Sequence, residues 1–146
     1  MMMKKQSKRV CVGEITSGYG IRKHPITRKP GSIHNGVDIA CPEGTAIYSP
    51  VLAKVMSVYY HEKGGLTAIL KDLANNDRYG FCHLQEVVFP VGATVNKAEL
   101  LARSGNTGKS TGPHLHYSYA TSCVWLQDVC VRLKYEDPTS KIEISE

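Results

Sequence analysis

Ser104-Gly105-Asn106-Thr107-Gly108-Lys109-Ser110-Thr111-Gly112-Pro113-His114-Leu115-His116-Tyr117-Ser118-Tyr119 is a turn-dense run that feeds straight into an alternating one. Glycine and proline punctuate its first ten residues, which predicts a loop tailored to approach a strand. From His114 the alternation predicts a strand through Tyr119, where side chains change face at every residue. His114 and His116 then share one face, and Leu115, Tyr117 and Tyr119 share the other. The Leu/Tyr face reads as core. Two imidazoles one pleat apart can reach a single small site, although an exposed sheet face could carry the same pair. The loop before them favours a site.

Working outward, the same grammar repeats. Residues 45–60 are rich in Val, Ile and Tyr, with Pro50 interrupting near the start. Leu66–Leu70 follows the turn signal Lys63-Gly64-Gly65, and Arg78–Leu84 follows Asn75-Asn76-Asp77. Residues 87–95 turn at Pro90 and Gly92, Leu100–Arg103 is short, and Val124–Leu133 fits strand or helix equally. Short strands spaced by roughly 8–12 residues suggest a sandwich or barrel-like β domain.

The chain has 146 residues, enough for one domain with its own core. Apolar residues at 42% and charged residues at 21% exclude disorder and collagen. No run approaches the ~18 consecutive apolar residues of a membrane span. With no repeat or linker visible, a single domain is expected over 1–146, with its core at about 14–135 and frayed ends at 1–12 and 139–146. Lys plus Arg outnumber Asp plus Glu by 18 to 13, which favours an anionic polymer as partner. Nucleic acid, cell wall and lipid headgroups all satisfy that charge. The five cysteines include no CxxC pair, which argues against a zinc ribbon. They read as small buried side chains, with Cys123–Cys130 the one bridge considered. The basic start, Met1–Arg9, leads only into Val10-Cys11-Val12, too short for the apolar region of a secretory signal.

Two further segments carry histidines. In His34-Asn35-Gly36-Val37-Asp38 the Asn-Gly argues against a helix. A turn delivers His34, and a strand begins near Asp38. Imidazole with carboxylate suits a borderline metal such as zinc. In Arg78-Tyr79-Gly80-Phe81-Cys82-His83-Leu84, alternation places Tyr79, Phe81 and His83 on one face. One Asp and two His complete a three-ligand catalytic zinc site whose fourth position is left for water. The pattern alone does not say which histidine of the HxH binds metal.

The sequence resembles the lysostaphin-type (LytM-type) zinc metallopeptidases, which cut peptide cross-links of bacterial peptidoglycan. The resemblance runs over roughly residues 14–120. It is carried by Ser17-Gly18-Tyr19-Gly20-Ile21-Arg22-Lys23-His24-Pro25, His34-Asn35-Gly36-Val37-Asp38-Ile39-Ala40 and Pro42-Glu43-Gly44-Thr45-Ala46-Ile47-Tyr48-Ser49-Pro50. His83-Leu84 and the Ser104–His116 stretch complete it. It implies a mainly β, single compact antiparallel β-sheet domain with a substrate groove. It also implies zinc (Zn2+) ligands His34, Asp38 and His116, with His83 and His114 as an unligated catalytic pair. The implied activity is a zinc-dependent endopeptidase that hydrolyses cross-links or stem peptides of peptidoglycan with a zinc-activated water. Tyr117-Ser118-Tyr119-Ala120, Asn96-Lys97-Ala98-Glu99-Leu100-Leu101 and Gly80-Phe81-Cys82 depart from the family's common spelling. These departures bear on substrate preference rather than on ligands.

The remaining expectations are smaller. His24 and His61 lie outside the core constellation; a place for His24 along the groove is the lesser reading, and His61 is expected to be exposed. Asn106 and Thr107 either support the site or only shape the loop. Gly105-Asn106-Thr107-Gly108-Lys109-Ser110 falls short of a phosphate loop, which needs four residues between its glycines. Arg78-Tyr79-Gly80-Phe81 lacks a second aromatic motif, so no nucleic-acid partner is expected. The rival class is an inactive wall-binding or scaffolding member of the same fold. Against it, His34, Asp38, His83, His114 and His116 are all present. The expected protein is a monomer acting on the bacterial wall, in the periplasm or outside the cell. It would be delivered by lysis, a phage particle or a secretion system, or be trimmed from a longer chain.

Overall fold

The structure is a computed structural model that describes residues 8–23, 30–126 and 129–144; for 21–23, 30–33, 122–126 and 129–133 it describes the backbone alone. In chain order the strands are β1 (Lys8–Arg9), β2 (Glu14–Ser17), β3 (Gly20–Lys23), β4 (Pro30–His34) and β5 (Val37–Ala40). There follow β6 (Ala46–Tyr48), β7 (Ala53–His61), β8 (Gly65–Asp72), β9 (Arg78–Val87) and β10 (Thr94–Val95). The last are β11 (Leu100–Ser104), β12 (His114–Leu126), β13 (Val129–Glu136) and β14 (Glu143–Ile144). A 3-10 turn at Pro138–Lys141 is the one helical element among the described residues.

Ten strands form one sheet whose main path runs β10-β7-β8-β9-β12-β5-β2. β13 extends β12, and β11 joins β6 to β9. The pairings within it are antiparallel, so the expected mainly β, antiparallel domain is what forms. Within 124–133, which fitted strand or helix, the described residues are strand, with Val124 opposite Arg132 and Leu126 opposite Val129. The Cys123–Cys130 bridge and the place of His24 lie outside the described side chains.

Alternation along β5, β8 and β12 sorts the residues by face. Val37, Ile39, Ala68, Leu70, Leu115 and Tyr117 are fully buried. Beneath the sheet Tyr79, Phe81 and Tyr117 stack, with Phe81–Tyr117 centroids at 5.3 Å and Tyr79–Tyr119 at 5.0 Å. Such pairs add about 0.5–1.5 kcal/mol beyond the area they bury. The Tyr119 hydroxyl reaches out of this layer to donate to Asp77 Oδ2 at 2.5 Å.

The chain ends differ from expectation. Residues 8–11 and 142–144 are not frayed but clasped together. Lys8 and Arg9 pair with Ile144 and Glu143. The Val10 amide donates to the Ile142 carbonyl at 2.8 Å, and the Tyr48 amide donates to the Val10 carbonyl at 2.9 Å. Val10, Cys11, Ile142 and Ile144 are at most 2% exposed. The core therefore reaches past the expected limits of 14 and 135, because four apolar side chains at the ends bury area that fraying would return to water. Ile144→Ala should destabilise the domain by about 2–5 kcal/mol in urea denaturation. Val12→Ala, at a position 66% exposed, should stay within about 0.5 kcal/mol.

Candidate metal centre and its histidine pair

Strand pairing lays one row of residues across the sheet. Ser17 stands opposite Asp38, Asp38 opposite His116, and His116 opposite Cys82. Partners in an antiparallel pair share a face, so these side chains leave the sheet on the side away from the tyrosine layer. His34 arrives from the end of β4, one tight turn before β5. Gly36 in that turn lies against His116, where a Cβ would come within 2.8 Å of Nε2. Any side chain there would displace the ring. That contact also leaves His116 Nδ1 as the nitrogen facing Asp38.

Around Asp38 Oδ1, His116 Nδ1 lies at 2.9 Å, His34 Nε2 at 3.5 Å and His114 Nε2 at 3.8 Å. One ligand atom each from His34, Asp38 and His116 lie within 4.8 Å of one another. The tautomers follow from the outer partners. His34 Nδ1 lies 2.7 Å from the Gly18 carbonyl, His114 Nδ1 2.8 Å from that of Gly112, and His83 Nδ1 2.7 Å from that of Thr107. A carbonyl only accepts, so in each ring the proton sits on Nδ1. The Nε2 of the neutral ring is then a bare lone pair. At His34 that lone pair faces a carboxylate oxygen, an arrangement that repels unless a cation stands between them. Two imidazoles and one carboxylate with an open side are a donor set suited to zinc. The residues fit the metal that the sequence implied.

Burial opposes the charge on Asp38, but the hydrogen bond from His116 and the attraction of His116, His34 and His114 in their protonated forms outweigh it. The carboxyl pKa therefore falls below its ordinary value. His83 is pushed down mainly by burial, against a smaller upward pull from the Thr107 carbonyl. Its ring is neutral near neutral pH.

His83 stands 4.6 Å from His114, ring centre to ring centre. Alternation had placed it on one face with Tyr79 and Phe81, which turn out to be core residues, and that shared face is corrected. His83 has φ of +62°, in the left-handed region, which breaks the period and turns its ring to the site face. The strain is held by the His83 amide donating to the Gly64 carbonyl at 2.6 Å and by the contact of Nδ1 with Thr107. The turn Lys63–Gly65 and the loop at Thr107–Gly108 meet here. Gly108, at φ +77°, admits no Cβ, which would fall 2.7 Å from the Lys63 carbonyl oxygen.

Sequence reasoning left the part of Thr107 open. Its Oγ1 donates to the Leu84 carbonyl at 2.7 Å and accepts from the Leu66 amide at 3.1 Å, while its carbonyl holds His83. The crowding of Gly, Asn and Thr in 105–108 is the signal that pointed to it. Ser110 Oγ lies 3.2 Å from His114 Nδ1, a contact the sequence did not suggest. His61 is exposed as expected, and its Nδ1 accepts from the Lys63 amide at 3.1 Å. An open cavity of about 220 Å³ adjoins the cluster, lined by Thr16, Asp38, Ala40, Thr111, Gly112 and His114 among others.

Comparison with known proteins gives this geometry relatives. The profile of Peptidase family M23 matches residues 32–127. Peptidoglycan DD-endopeptidase ShyB of Vibrio cholerae is 36% identical over 107 residues, 71% of this chain and 24% of ShyB. Lysostaphin of Staphylococcus staphylolyticus is 34% identical over 103 residues, 68% of this chain and 21% of lysostaphin. The chain thus spans about a quarter of the length of these curated relatives. The catalytic domain of lysostaphin from Staphylococcus simulans superposes with a TM-score of 0.73 at 25% identity, over 89% of this chain and 92% of that domain. A zinc-containing peptidase from Vibrio cholerae gives 0.72 at 28% identity, over 91% of this chain and 39% of that one. The matched span takes in every member of the cluster from His34 to His116, and the chain belongs to peptidase family M23.

Proposed function

We propose that this domain is a zinc metallo-endopeptidase that hydrolyses peptide bonds of bacterial peptidoglycan. The observation that carries the reading is the convergence on Asp38 of His116 Nδ1 and of the Nε2 atoms of His34 and His114, two rings whose protons are committed to backbone carbonyls. His34 Nε2, His116 Nδ1 and the Asp38 carboxylate would hold the metal. Zinc in such a site supplies Lewis acidity, making water a nucleophile near neutral pH and drawing charge from a carbonyl oxygen.

The chain's own residues do the rest. Asp38 stays ionised and offsets part of the cation's charge. His83 and His114 stand side by side with bare Nε2 atoms on the open side of the cluster. One accepts a proton from the attacking water, and the pair then returns that proton to the leaving amine. Their Nδ1 atoms are tied to Thr107 and Gly112, which fixes the direction of both lone pairs. Acid–base help of this kind contributes roughly 10²–10⁴-fold.

Charge supports the polymer substrate. Lys54, Lys71 and Arg78 are register partners in adjacent strands, in line with Ala120 of β12. Ala120 is on the His116 face, four residues further along the strand, roughly 13 Å away. This basic row suits an anionic wall polymer lying over the sheet, and its pull weakens with salt. Peptidoglycan lies outside the cytoplasm, and so does the proposed site of action. No described helix is long and apolar enough to cross a membrane.

The test is digestion of purified peptidoglycan, both D-alanyl–diaminopimelate and glycyl-bridged, with mass analysis of the fragments. Cross-linked fragments should fall to monomers, and a chelator should stop the reaction. An intact wall in the presence of metal-loaded protein overturns the reading in favour of a scaffold. His116→Ala should lose metal by elemental analysis. His114→Ala should keep it while turnover falls by about 10²–10⁴-fold. Thr107→Val removes both hydroxyl hydrogen bonds and loosens the support of His83. Turnover should fall by roughly 10–100-fold with metal content unchanged.

A further inference from the structure

Cys11 and Cys41 are thirty residues apart in sequence, yet their Sγ atoms lie 3.5 Å apart in the interior. Cys11 is 0% exposed and Cys41 6%. Cys11 bridges Ile47 in the clasped N-terminal segment, and Cys41 directly follows β5. We propose that this pair is an oxidation site that closes to an intrachain disulfide when the protein meets an oxidising thiol pool. A disulfide needs its sulfurs at about 2.05 Å. The remaining gap is of the size that turning two side chains closes. Cys82, the other described thiol, lies against the Thr67 hydroxyl at 3.7 Å instead.

The two sulfurs are unequal, which sets the order of events. Cys41 accepts the hydrogen bond donated by the Cys11 thiol, and this lowers its pKa to about 6 against the opposing pull of burial. Cys11 is pushed the other way by the same hydrogen bond and by burial, so it keeps its proton. Cys41 is also the more accessible of the two. Its thiolate attacks one sulfur of a small disulfide such as glutathione disulfide, forming a mixed disulfide and releasing one glutathione thiolate. Cys11 then gives up its proton to that thiolate and attacks Cys41 Sγ, expelling the second glutathione. Two thiols are oxidised and one disulfide is reduced to two thiols, so electrons and protons balance.

The closed loop contains His34 and Asp38 and ties the N-terminal clasp to the strand that carries the site. Such a link raises stability by restricting the unfolded chain. It does not depend on the peptidase reading, because its test reads covalent state and melting temperature rather than activity.

The full chain is equilibrated in a glutathione buffer rich in the disulfide form, denatured with an alkylating agent present, digested and mapped without reduction. The Cys11 and Cys41 peptides should emerge joined to each other. Thermal melting should shift upward by roughly 5–15 °C relative to the dithiothreitol-reduced protein. Cys11→Ser and Cys41→Ser should each lack that shift, and Cys82→Ser should keep it. Recovery of Cys11 and Cys41 as alkylated thiols, or joined to any other cysteine, overturns the proposal.

Discussion

The register between β5 and β12 is the constraint on which the rest of the molecule depends. It sets Asp38 beside His116 on one face, and in the same stroke Val37 beside Tyr117 and Ile39 beside Leu115 on the other. A slip of one residue would exchange the faces of every side chain on the strand. Four fully buried apolar side chains would go to water, each at a loss of about 1.5–3 kcal/mol, and a carboxylate and imidazoles would go to the core. The core therefore holds the site in register. The position of Asp38 against His116 is as strongly specified as the packing of Tyr117, because one pairing produces both.

Where the site needs something regular pairing cannot supply, the chain departs from regularity. β9 runs in register with β12 from Arg78 to Cys82 and then turns out of period at His83. A non-glycine residue in the left-handed region costs of order 1–3 kcal/mol. Contacts from two loops hold it there, the Gly64 carbonyl on its amide and the Thr107 carbonyl on its ring. Thr107 is fixed in turn by the backbone of Leu66 and Leu84. The strain and its restraint meet at one ring, which stands 4.6 Å from that of His114.

Much of this was legible in the residues. Period two in His114–Tyr119 placed both imidazoles and assigned Leu115 and Tyr117 to the core, because that segment is a regular strand. The Asn-Gly before Val37 announced a turn delivering His34, because no helix passes easily through it. His83 was misplaced by the same rule, since a single positive φ is a property of the loops that hold it and not of its own neighbours in sequence. The terminal clasp was missed for a similar reason. Two-residue strands such as Lys8–Arg9 and Glu143–Ile144 are too short to show a period, and only their meeting in space makes them a pair. The choice between His114 and His116 as ligand came from family resemblance, because alternation treats them alike.

The outer partners of the rings suit the cluster to the proposed work of binding a cation and moving protons. A carboxylate partner would stabilise the imidazolium and raise its pKa, whereas a carbonyl orients the ring with a far smaller effect. His34, His83 and His114 all lean on carbonyls, from Gly18, Thr107 and Gly112. Asp38 is the one carboxylate among the described residues within 4 Å of the cluster's imidazole nitrogens, those of His34, His114 and His116. The hydrogen bond from His116 lowers the Asp38 pKa against the opposing pull of burial, while burial keeps His83 neutral. A neutral imidazole with a bare Nε2 can accept a proton near neutral pH, and an imidazolium cannot. The glycine-rich loops thus contribute through their backbone oxygens, which is why their composition matters to the chemistry although none of their side chains enters the ligand set.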